Sequence, residues 1–423
     1  MSSVRKFVYL LEALINQWKN ESNLKKLQLK RLKKIVKFAY NNIPFYKEKF
    51  DREGVTPKDL RRLEDIKKFP VTTKEELKSN FKKLLNSKIN LSKCIIASTS
   101  GSTGNPLKIV YDEKADDFSK AINMRSYISN GLSPFSKWAN IGDVRTETKQ
   151  TWFQRLGVFN LLNINLFDEL ERQIASLDSN KIEFLTGYPS QLQLIAEKLI
   201  SSGKKLKIKK VFSTAETLSQ KQREIIEKGF HAPVIDLFGC IEVNRTAWQC
   251  AKQEGYHIDI DSVILEIINS KGNDCPPEEF GRVIYTSLYN YAFPIIRYDI
   301  GDIAILSRNK CSCGRGLPLL KTILGRKDDF LINYLGEKIS PLKVHLIFKH
   351  SLGINSYQLI QKSNKSLKMY LVSNEKFSKD TIKDIKHKLH KLIGTKCKIS
   401  CKKVKTLPKE GKNKFRSVIN AIK

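Results

Sequence analysis

The sequence lacks any long apolar run. Hydrophobic residues make up 41% of its 423 positions, but charged residues interrupt them throughout. No stretch approaches the roughly 18 apolar residues that a membrane span requires. The segment 1–17 also lacks a small-residue cleavage pattern behind a basic flank, as a secretory signal would have. We therefore expect a cytoplasmic protein with no membrane span.

Acidic residues are scarce. The chain has 43 Asp and Glu against 76 Lys and Arg, a formal net charge of +33. Such a charge suits nucleic acid, anionic lipid or an anionic substrate as partner. The lysines, however, are spread along the whole chain, and no recognisable nucleic-acid-binding motif accompanies them. We expect no nucleic-acid partner.

Cysteine spacings typical of a disulfide framework are also missing. The eight cysteines are scattered over a long chain, which favours reduced thiols or metal ligands. No internal repeat or low-complexity stretch is apparent. The length is instead that of two or three packed units.

Helices are readable near the N-terminus. Apolar residues recur at helical spacing over 24–46, and the turn residues at 41–44 end that helix. Thr73 and Glu76 have the spacing of a capping box, which predicts a helix through Leu85.

The middle of the chain alternates extended and helical stretches. Short apolar runs at 94–97, 182–185, 210–213 and 234–238 predict an α/β sheet, with ligands bound by the loops that follow these strands. From residue 326 a smaller, lysine-rich unit begins, with one clear helix at 380–393. We therefore expect a large domain over 1–325 and a small one over 326–423.

One loop is rich in hydroxyl residues and glycine. It follows the run 94–97 and reads Ser98-Thr99-Ser100-Gly101-Ser102-Thr103-Gly104. Its N–H groups and hydroxyls can wrap a polyphosphate, and Lys108 adds a positive charge. It is not a P-loop, because Asn105 and Pro106 replace the expected Lys-Ser/Thr pair. Taken alone, it fits a phosphate site or an ordinary surface turn equally well.

The stretch 98–108 resembles the signature loop of adenylate-forming enzymes, which include acyl-CoA synthetases and peptide-synthetase adenylation domains. Further motifs similar to that family follow in its order, at 215–216, 236–242, 297–302, 325–329 and 408–414. Segments 39–46, 69–74 and 187–190 resemble the phenylacetate-CoA ligase branch, which also contains capsular polysaccharide biosynthesis proteins.

This resemblance covers residues 24–419 and implies a fold. The expected architecture is an α/β large N-terminal domain with layered sheets and helices, and a small mobile α+β C-terminal domain that carries a lysine loop. Asp328 matches the hinge between them.

The resemblance also implies a set of ATP-binding residues. The loop would hold the β- and γ-phosphates, Phe238 would stack on adenine where the family more often has tyrosine, and Asp302 would accept both ribose hydroxyls. The full expected set is Ser98, Thr99, Ser100, Gly101, Ser102, Thr103, Gly104, Ala215, Glu216, Asp236, Phe238, Gly239, Asp302 and Arg326.

Four residues are expected to act in catalysis: Thr99, Lys108, Glu242 and Lys414. By resemblance, Glu242 would hold Mg²⁺ against the phosphates. Lys414 would bridge the substrate carboxylate and the α-phosphate, although Asn413 precedes it where the family usually has glycine. Tyr188 is expected in the acyl pocket.

Four further residues form a candidate zinc site. Cys250, His257, Cys311 and Cys313 offer three thiolates and one imidazole, the ligand set of a closed tetrahedral site. Neither spacing is that of a standard zinc finger, and separate thiols are the alternative. Several members of the resembled branch carry such a quartet, so the resemblance implies structural Zn²⁺.

The resulting expectation is ATP-dependent activation of a small organic acid as acyl-adenylate, followed by transfer to CoA. Transfer to an amine, such as an amino sugar, and a nucleotidyltransferase with a stable adenylated product are alternatives. A basic relative that binds nucleic acid or membrane without catalysis is a fourth, against which the intact Glu242, Asp302 and Lys414 speak. A homodimer is left open.

Overall fold

A computed structural model describes residues 2–98, 107–142, 152–326, 331–336, 338–339, 344, 347–348, 351–363, 365–375, 377–408 and 417–422. The chain divides into two compact units. The first runs through Ala215 and then covers Ile226–Ile300 and Ala304–Thr322. The second comprises Glu216–Ile225, Gly301–Ile303 and the chain from Ile323 onward.

The first unit begins with three helices, α1 (Ser2–Asn16), α2 (Glu21–Asn42) and α3 (Pro44–Arg52). The side chain of Asn20 caps α2, and α2 ends at Asn42 because Pro44 opens the next helix. The predicted end of this helix is therefore confirmed. One face of α2 is buried through Leu24, Leu32, Ile35, Val36 and Ala39.

The predicted capping box is confirmed. The backbone N–H of Glu76 donates to Thr73 Oγ1 over 3.2 Å, and that of Thr73 donates to Glu76 Oε2 over 2.8 Å. The prediction of one helix through Leu85 is wrong, since α4 (Lys74–Ser79) ends before Asn80 and α5 (Phe81–Leu84) follows. The Asn80 side chain donates to Glu76 O over 3.0 Å, and such local bonds compete with helix continuation.

A hairpin precedes the large sheet. Strand β1 (Ile95–Ser98) pairs antiparallel with β2 (Lys108–Tyr111), and Ser98 lies opposite Lys108. Short 3₁₀ turns occupy Pro57–Asp59, Leu63–Lys68 and Leu91–Lys93.

Among the described residues, eleven strands form one sheet in the order β10-β11-β12-β13-β9-β8-β7-β6-β5-β3-β4. Their bounds are β3 Trp138–Gly142, β4 Leu161–Asn165, β5 Phe184–Gly187, β6 Lys210–Thr214, β7 Val234–Cys240, β8 Asn244–Gln249, β9 Tyr256–Ile258, β10 Val263–Ile268, β11 Phe280–Ser287, β12 Tyr298–Leu306 and β13 Leu319–Arg326. Strands β3 to β7 run parallel, and β8 and β9 continue antiparallel.

Helices connect the parallel strands and confirm the α/β class. They are α7 (Trp152–Arg155), α8 (Leu170–Ser179), α9 (Pro189–Ser202) and α10 (Gln220–Phe230), whereas α6 (Glu113–Ile128) leads from β2 into β3. Central strand residues such as Leu185, Val211 and Ile235 are fully buried, as expected of parallel strands covered on both faces. No helix among the described residues has the length and apolar character of a membrane span.

The second unit contains a four-stranded sheet in the order β18-β17-β16-β19, with bounds β16 Ile354–Ser363, β17 Ser366–Ser373, β18 Lys398–Lys403 and β19 Val418–Asn420. A small pair, β14 (Leu331–Ile332) and β15 (Lys338–Ile339), precedes it. Ser378 caps α11 (Lys379–Ile393), which confirms the helix predicted at 380–393. Its Ile385, Leu389 and Ile393 belong to the core of this unit.

Candidate active site

Three parallel strands end side by side. Gly187 at the end of β5 pairs with Ser213 of β6, and Thr214 at the end of β6 pairs with Leu237 of β7. The next residues along these strands are the predicted site residues Tyr188, Ala215 and Phe238. This is the carboxyl edge of the parallel sheet, where α/β folds bind ligands.

The turn after β6 is strained. Ala215 has a φ of 66°, in the left-handed region that glycine adopts freely. A residue with a Cβ pays about 1 kcal/mol to stay there. The sequence alone does not indicate that Ala215 adopts this left-handed conformation. Such strain concentrates at functional sites.

Asp236 on β7 is held within the sheet. Ser213 Oγ donates to its Oδ1 over 2.5 Å, and Tyr256 OH donates to its Oδ2 over 2.7 Å. Its own N–H donates to Gln249 Oε1 over 3.1 Å. The carboxylate therefore joins three strands, and its expected contact with ATP stays a prediction.

Gly239 explains the sharp end of β7. A Cβ added there would lie 2.3 Å from the backbone oxygen of Asn244 on the returning strand β8. Only glycine fits such a close approach. A β-bulge between Phe238 and Gly239 also leaves the Phe238 ring half-buried at the strand end.

Glu242 lies in the turn between β7 and β8 and is 7% exposed. The hydroxyl of Tyr298, the first residue of β12, donates to Glu242 Oε1 over 3.0 Å. A buried carboxylate needs such partners or a cation. The sequence contained Tyr298 inside the motif at 297–302, but nothing in the spacing indicated a contact with Glu242.

Tyr111 ties the phosphate-loop hairpin to the same turn. Its hydroxyl donates to the backbone oxygens of Ile241 at 2.7 Å and Glu242 at 3.2 Å. Burial raises the pKa of Tyr111 well above its ordinary value, so the hydroxyl keeps its proton. Since β2 directly follows the loop, the base of the hairpin is bonded to the backbone of Glu242. Sequence reasoning missed this residue.

The remaining predicted residues lie on the hairpin, after β6, on β12 or β13, or outside the described residues. Ser98 and Lys108 face each other, exposed, at the loop end of the hairpin. Asp302 is half-buried on β12, Glu216 is half-buried after β6, and both make polar contacts. Arg326 is the last residue of β13, and the structure does not describe its side chain. Thr99 to Gly104, Asp328 and Lys414 lie outside the described residues.

The four predicted zinc ligands come together in the first unit. Cys250 follows β8, His257 lies on β9, and Cys311 and Cys313 lie in the turn before β13. His257 pairs with Trp248 of β8 on one side and with Leu319 of β13 on the other. The ligand atoms of the four predicted zinc ligands all lie within 4.8 Å of one another.

The distances in this cluster suit a metal. Cys250 Sγ and Cys311 Sγ are 3.6 Å apart, and Cys313 Sγ lies 3.3 Å from His257 Nε2. Burial, together with the positive charge of Arg315, lowers the pKa of His257 to about 4, which leaves the imidazole neutral at pH 7. Glu254 accepts hydrogen bonds from Ser312 N (2.7 Å) and Oγ (2.6 Å), which fixes the cysteine turn.

Comparisons with known proteins agree with this architecture. The chain is 31% identical over 324 residues to the phenylacetate-coenzyme A ligase of Escherichia coli (strain K12), covering 73% of this chain and 72% of that one. It is 26% identical to Protein CapK of Staphylococcus aureus, over 95% of this chain and 90% of that one. Residues 331–421 match the family model of the CapK C-terminal domain.

The fold is also that of a solved structure. A 2-hydroxyisobutyryl-CoA ligase in the postadenylation state, in complex with 2-HIB-AMP, superposes with a TM-score of 0.81 at 19% identity. The match covers 96% of this chain and 91% of that one. At this identity the likeness concerns the fold alone.

Proposed function

The chain belongs to the phenylacetate-CoA ligase family of adenylate-forming enzymes, and on that premise we propose that it activates a small organic acid with ATP and transfers the acyl group to CoA. In the first step a carboxylate oxygen attacks the α-phosphorus and pyrophosphate leaves. In the second step the CoA sulfur attacks the acyl carbon, giving the thioester while AMP leaves and the thiol proton passes to solvent.

One observation carries the proposal. The Tyr111 hydroxyl joins the phosphate-loop hairpin to the turn that holds Glu242, at the edge where β5, β6 and β7 end. A buried carboxylate bonded to the strand that follows the expected phosphate-binding loop suits ATP chemistry, because the reaction depends on charge neutralisation and alignment more than on a dedicated base.

Each predicted site residue then has a separate role in binding ATP or in the adenylation step. Loop residues and Lys108 bind the β- and γ-phosphates, Phe238 stacks on adenine and Asp302 accepts the ribose hydroxyls. Glu242 is the Mg²⁺ ligand, and the ion neutralises phosphate charge when bound. Lys414, in the small C-terminal domain expected from residue 326 onward, would donate to the substrate carboxylate and α-phosphate as charge develops.

An amine acceptor is the second candidate. The match to Protein CapK extends over 95% of this chain, against 73% for the ligase of E. coli. The CapK C-terminal domain match covers most of the second unit, and the amine acceptor itself rests on the resemblance to capsular polysaccharide biosynthesis proteins. In this case the acyl-adenylate passes its acyl group to an amino sugar instead of to CoA.

We also propose that Cys250, His257, Cys311 and Cys313 bind one Zn²⁺. Tetrahedral zinc with ordinary bond lengths places two sulfurs about 3.8 Å apart and a sulfur and nitrogen about 3.6 Å apart. The observed separations of 3.6 Å and 3.3 Å are close to these values. Because all four positions are filled by protein, the ion is structural.

The test is acid-dependent pyrophosphate release. Purified protein is incubated with ATP, Mg²⁺ and a panel of aromatic and aliphatic acids, with and without CoA, and products are identified by mass spectrometry. We expect pyrophosphate with at least one acid and a CoA thioester when CoA is present. Pyrophosphate release without thioester formation would indicate an amine acceptor or a stable adenylated product instead of CoA transfer. ATP binding with no release for any acid contradicts the proposal.

A further inference from the structure

Helix α1 exposes an apolar stripe. Val4, Phe7, Val8, Leu11, Ile15 and the following Trp18 recur at helical spacing, and each keeps at least 43% of its surface exposed. Large apolar side chains gathered in one exposed patch mark an interaction site in a folded protein.

The opposite face of α1 is firmly docked. Ala13 packs with Phe118 and Ile122 of α6, and the rings of Tyr9 and Phe118 make an edge contact at 5.2 Å. Arg5 pairs with the buried Asp117 at 2.5 Å. The exposed stripe is thus the outer face of a helix that is fixed on the protein.

The chain also pins the end of this helix. The backbone N–H of Gly316 donates to Gln17 O over 3.0 Å, and Arg315 Nε donates to Gln17 Oε1 over 2.9 Å. The Arg315 guanidinium lies 4.7 Å from the Trp18 ring centre. Trp18 is therefore held at the end of the stripe while 56% of its surface stays exposed.

Positive charge lies on the neighbouring helix α2. Glu12, the only acidic residue of α1, is paired with Arg31 of α2, which places α2 beside α1. The outer face of α2 carries an exposed row of lysines, and no carboxylate pairs with them within the described part of the chain. The row comprises Lys26, Lys30, Lys33 and Lys37.

We propose that this surface docks α1 in the plane of an anionic lipid membrane. An exposed apolar helix face on a strongly basic protein suits shallow insertion into an anionic lipid surface, and tryptophan favours the headgroup region. The 15 residues of α1 extend over about 22 Å, so the helix lies along the surface instead of crossing it. A net charge of +33 strengthens attraction to anionic headgroups.

A second copy of the chain is the competing occupant. Two molecules with +33 charges repel each other, whereas an anionic surface attracts both. A stable dimer also buries roughly 20–30 residues on each side. The stripe offers only six side chains, which suffice for shallow insertion into lipid.

The test is sedimentation of the full chain with vesicles of phosphatidylcholine alone or mixed with phosphatidylglycerol. We expect binding to the mixed vesicles that weakens with added salt. Phe7→Ser combined with Leu11→Ser lowers the partition coefficient about a hundredfold, since each large apolar side chain removed is worth about tenfold. Lys30→Glu with Lys33→Glu also weakens binding.

Phe280→Ser is the matched control, because Phe280 on β11 is 62% exposed but lies outside the stripe. It leaves binding unchanged, and an unchanged thermal midpoint shows that each variant is folded. Equal vesicle binding by the wild type and the Phe7/Leu11 variant overturns the proposal. The proposal is also overturned if the wild type binds neither kind of vesicle and instead forms a dimer that the same substitutions dissociate.

Discussion

The hydroxyl of Tyr298 donates a hydrogen bond to Oε1 of Glu242 across 3.0 Å, although the two residues are 56 positions apart. Both side chains are buried, Tyr298 at 1% and Glu242 at 7% exposure. The bond occupies one lone pair of Oε1 and fixes the plane of the carboxylate. An oriented carboxylate is better prepared to bind a cation than a mobile one.

Removing the carboxylate or its partner tests this orientation. Glu242→Gln is expected to lower pyrophosphate release by about 100-fold or more, since the negative charge that neutralises the metal is gone. Tyr298→Phe is expected to cost about tenfold, the typical value of a hydrogen bond to a charged group, and to raise the Mg²⁺ concentration needed for half-maximal rate. A magnesium titration of the rate measures both.

Tyr40→Phe is the control, because the Tyr40 hydroxyl donates to Asp51 at 2.6 Å in an exposed pair on α2 and α3. It should leave the magnesium dependence unchanged. A Tyr298→Phe enzyme with the wild-type magnesium curve would show that the bond has no part in metal binding.

Lys414 is predicted to act on the developing charge of the first step. Lys414→Ala is expected to reduce acid-dependent pyrophosphate release by about 100-fold or more while ATP affinity stays nearly unchanged. Lys412→Ala and Lys409→Ala in the same loop are matched controls with little effect. Normal release by Lys414→Ala, or an equal loss in Lys412→Ala, would contradict the assignment.

The cysteine cluster predicts about one zinc ion per chain after purification. Cys313→Ser should lose the metal and lower the thermal midpoint by about 3 °C, as a loss of roughly 2 kcal/mol does in a unit of this size. Cys275→Ser, which removes a buried thiol elsewhere on the sheet, should keep its zinc. Elemental analysis with a melting curve distinguishes them, and a metal-free wild type with an intact fold would end the zinc proposal.

Asp65 predicts a pH effect on stability. Hydrogen bonds from the Arg62 N–H at 2.9 Å and the Lys68 ammonium at 3.0 Å hold the pKa of Asp65 well below its usual range. A lowered folded pKa gives stability that is complete above about pH 4 and declines as pH falls further. The thermal midpoint of Asp65→Asn should therefore be lower than that of the wild type at pH 7, and this difference should narrow near pH 2.5.

The exposed neighbour Glu64 supplies the control for this measurement. Glu64→Gln should leave the midpoint close to wild type at both pH values. An Asp65→Asn deficit that stays the same size in acid would show that the effect is not electrostatic.

Local sequence signals predicted local structure well. The spacing of Thr73 and Glu76 correctly predicted a capping box, and the proline at 44 marked where one helix ends and the next begins. Asn80 shows the limit, since a polar residue that breaks a helix through its own side chain looks the same in sequence as one that does not.

Contacts between distant segments were not predictable. Tyr111 and Tyr298 reach the Glu242 turn from other strands, and their roles depend on the order of strands in space. The zinc cluster is intermediate, because its residue types were recognisable but their assembly follows from the pairing of His257 with Trp248 and Leu319.

The Tyr111 hydroxyl has a further consequence, which concerns entropy. It joins segments separated by 131 residues, and closing so long a loop costs conformational freedom that grows with the logarithm of its length. This entropic cost is incurred once, when the chain folds. The position of β2 relative to the Glu242 turn is therefore set before a nucleotide binds. Binding to two segments that are already joined loses less freedom than binding to two that move independently, so under the proposed function a single phenol on β2 would raise ATP affinity without touching the ligand.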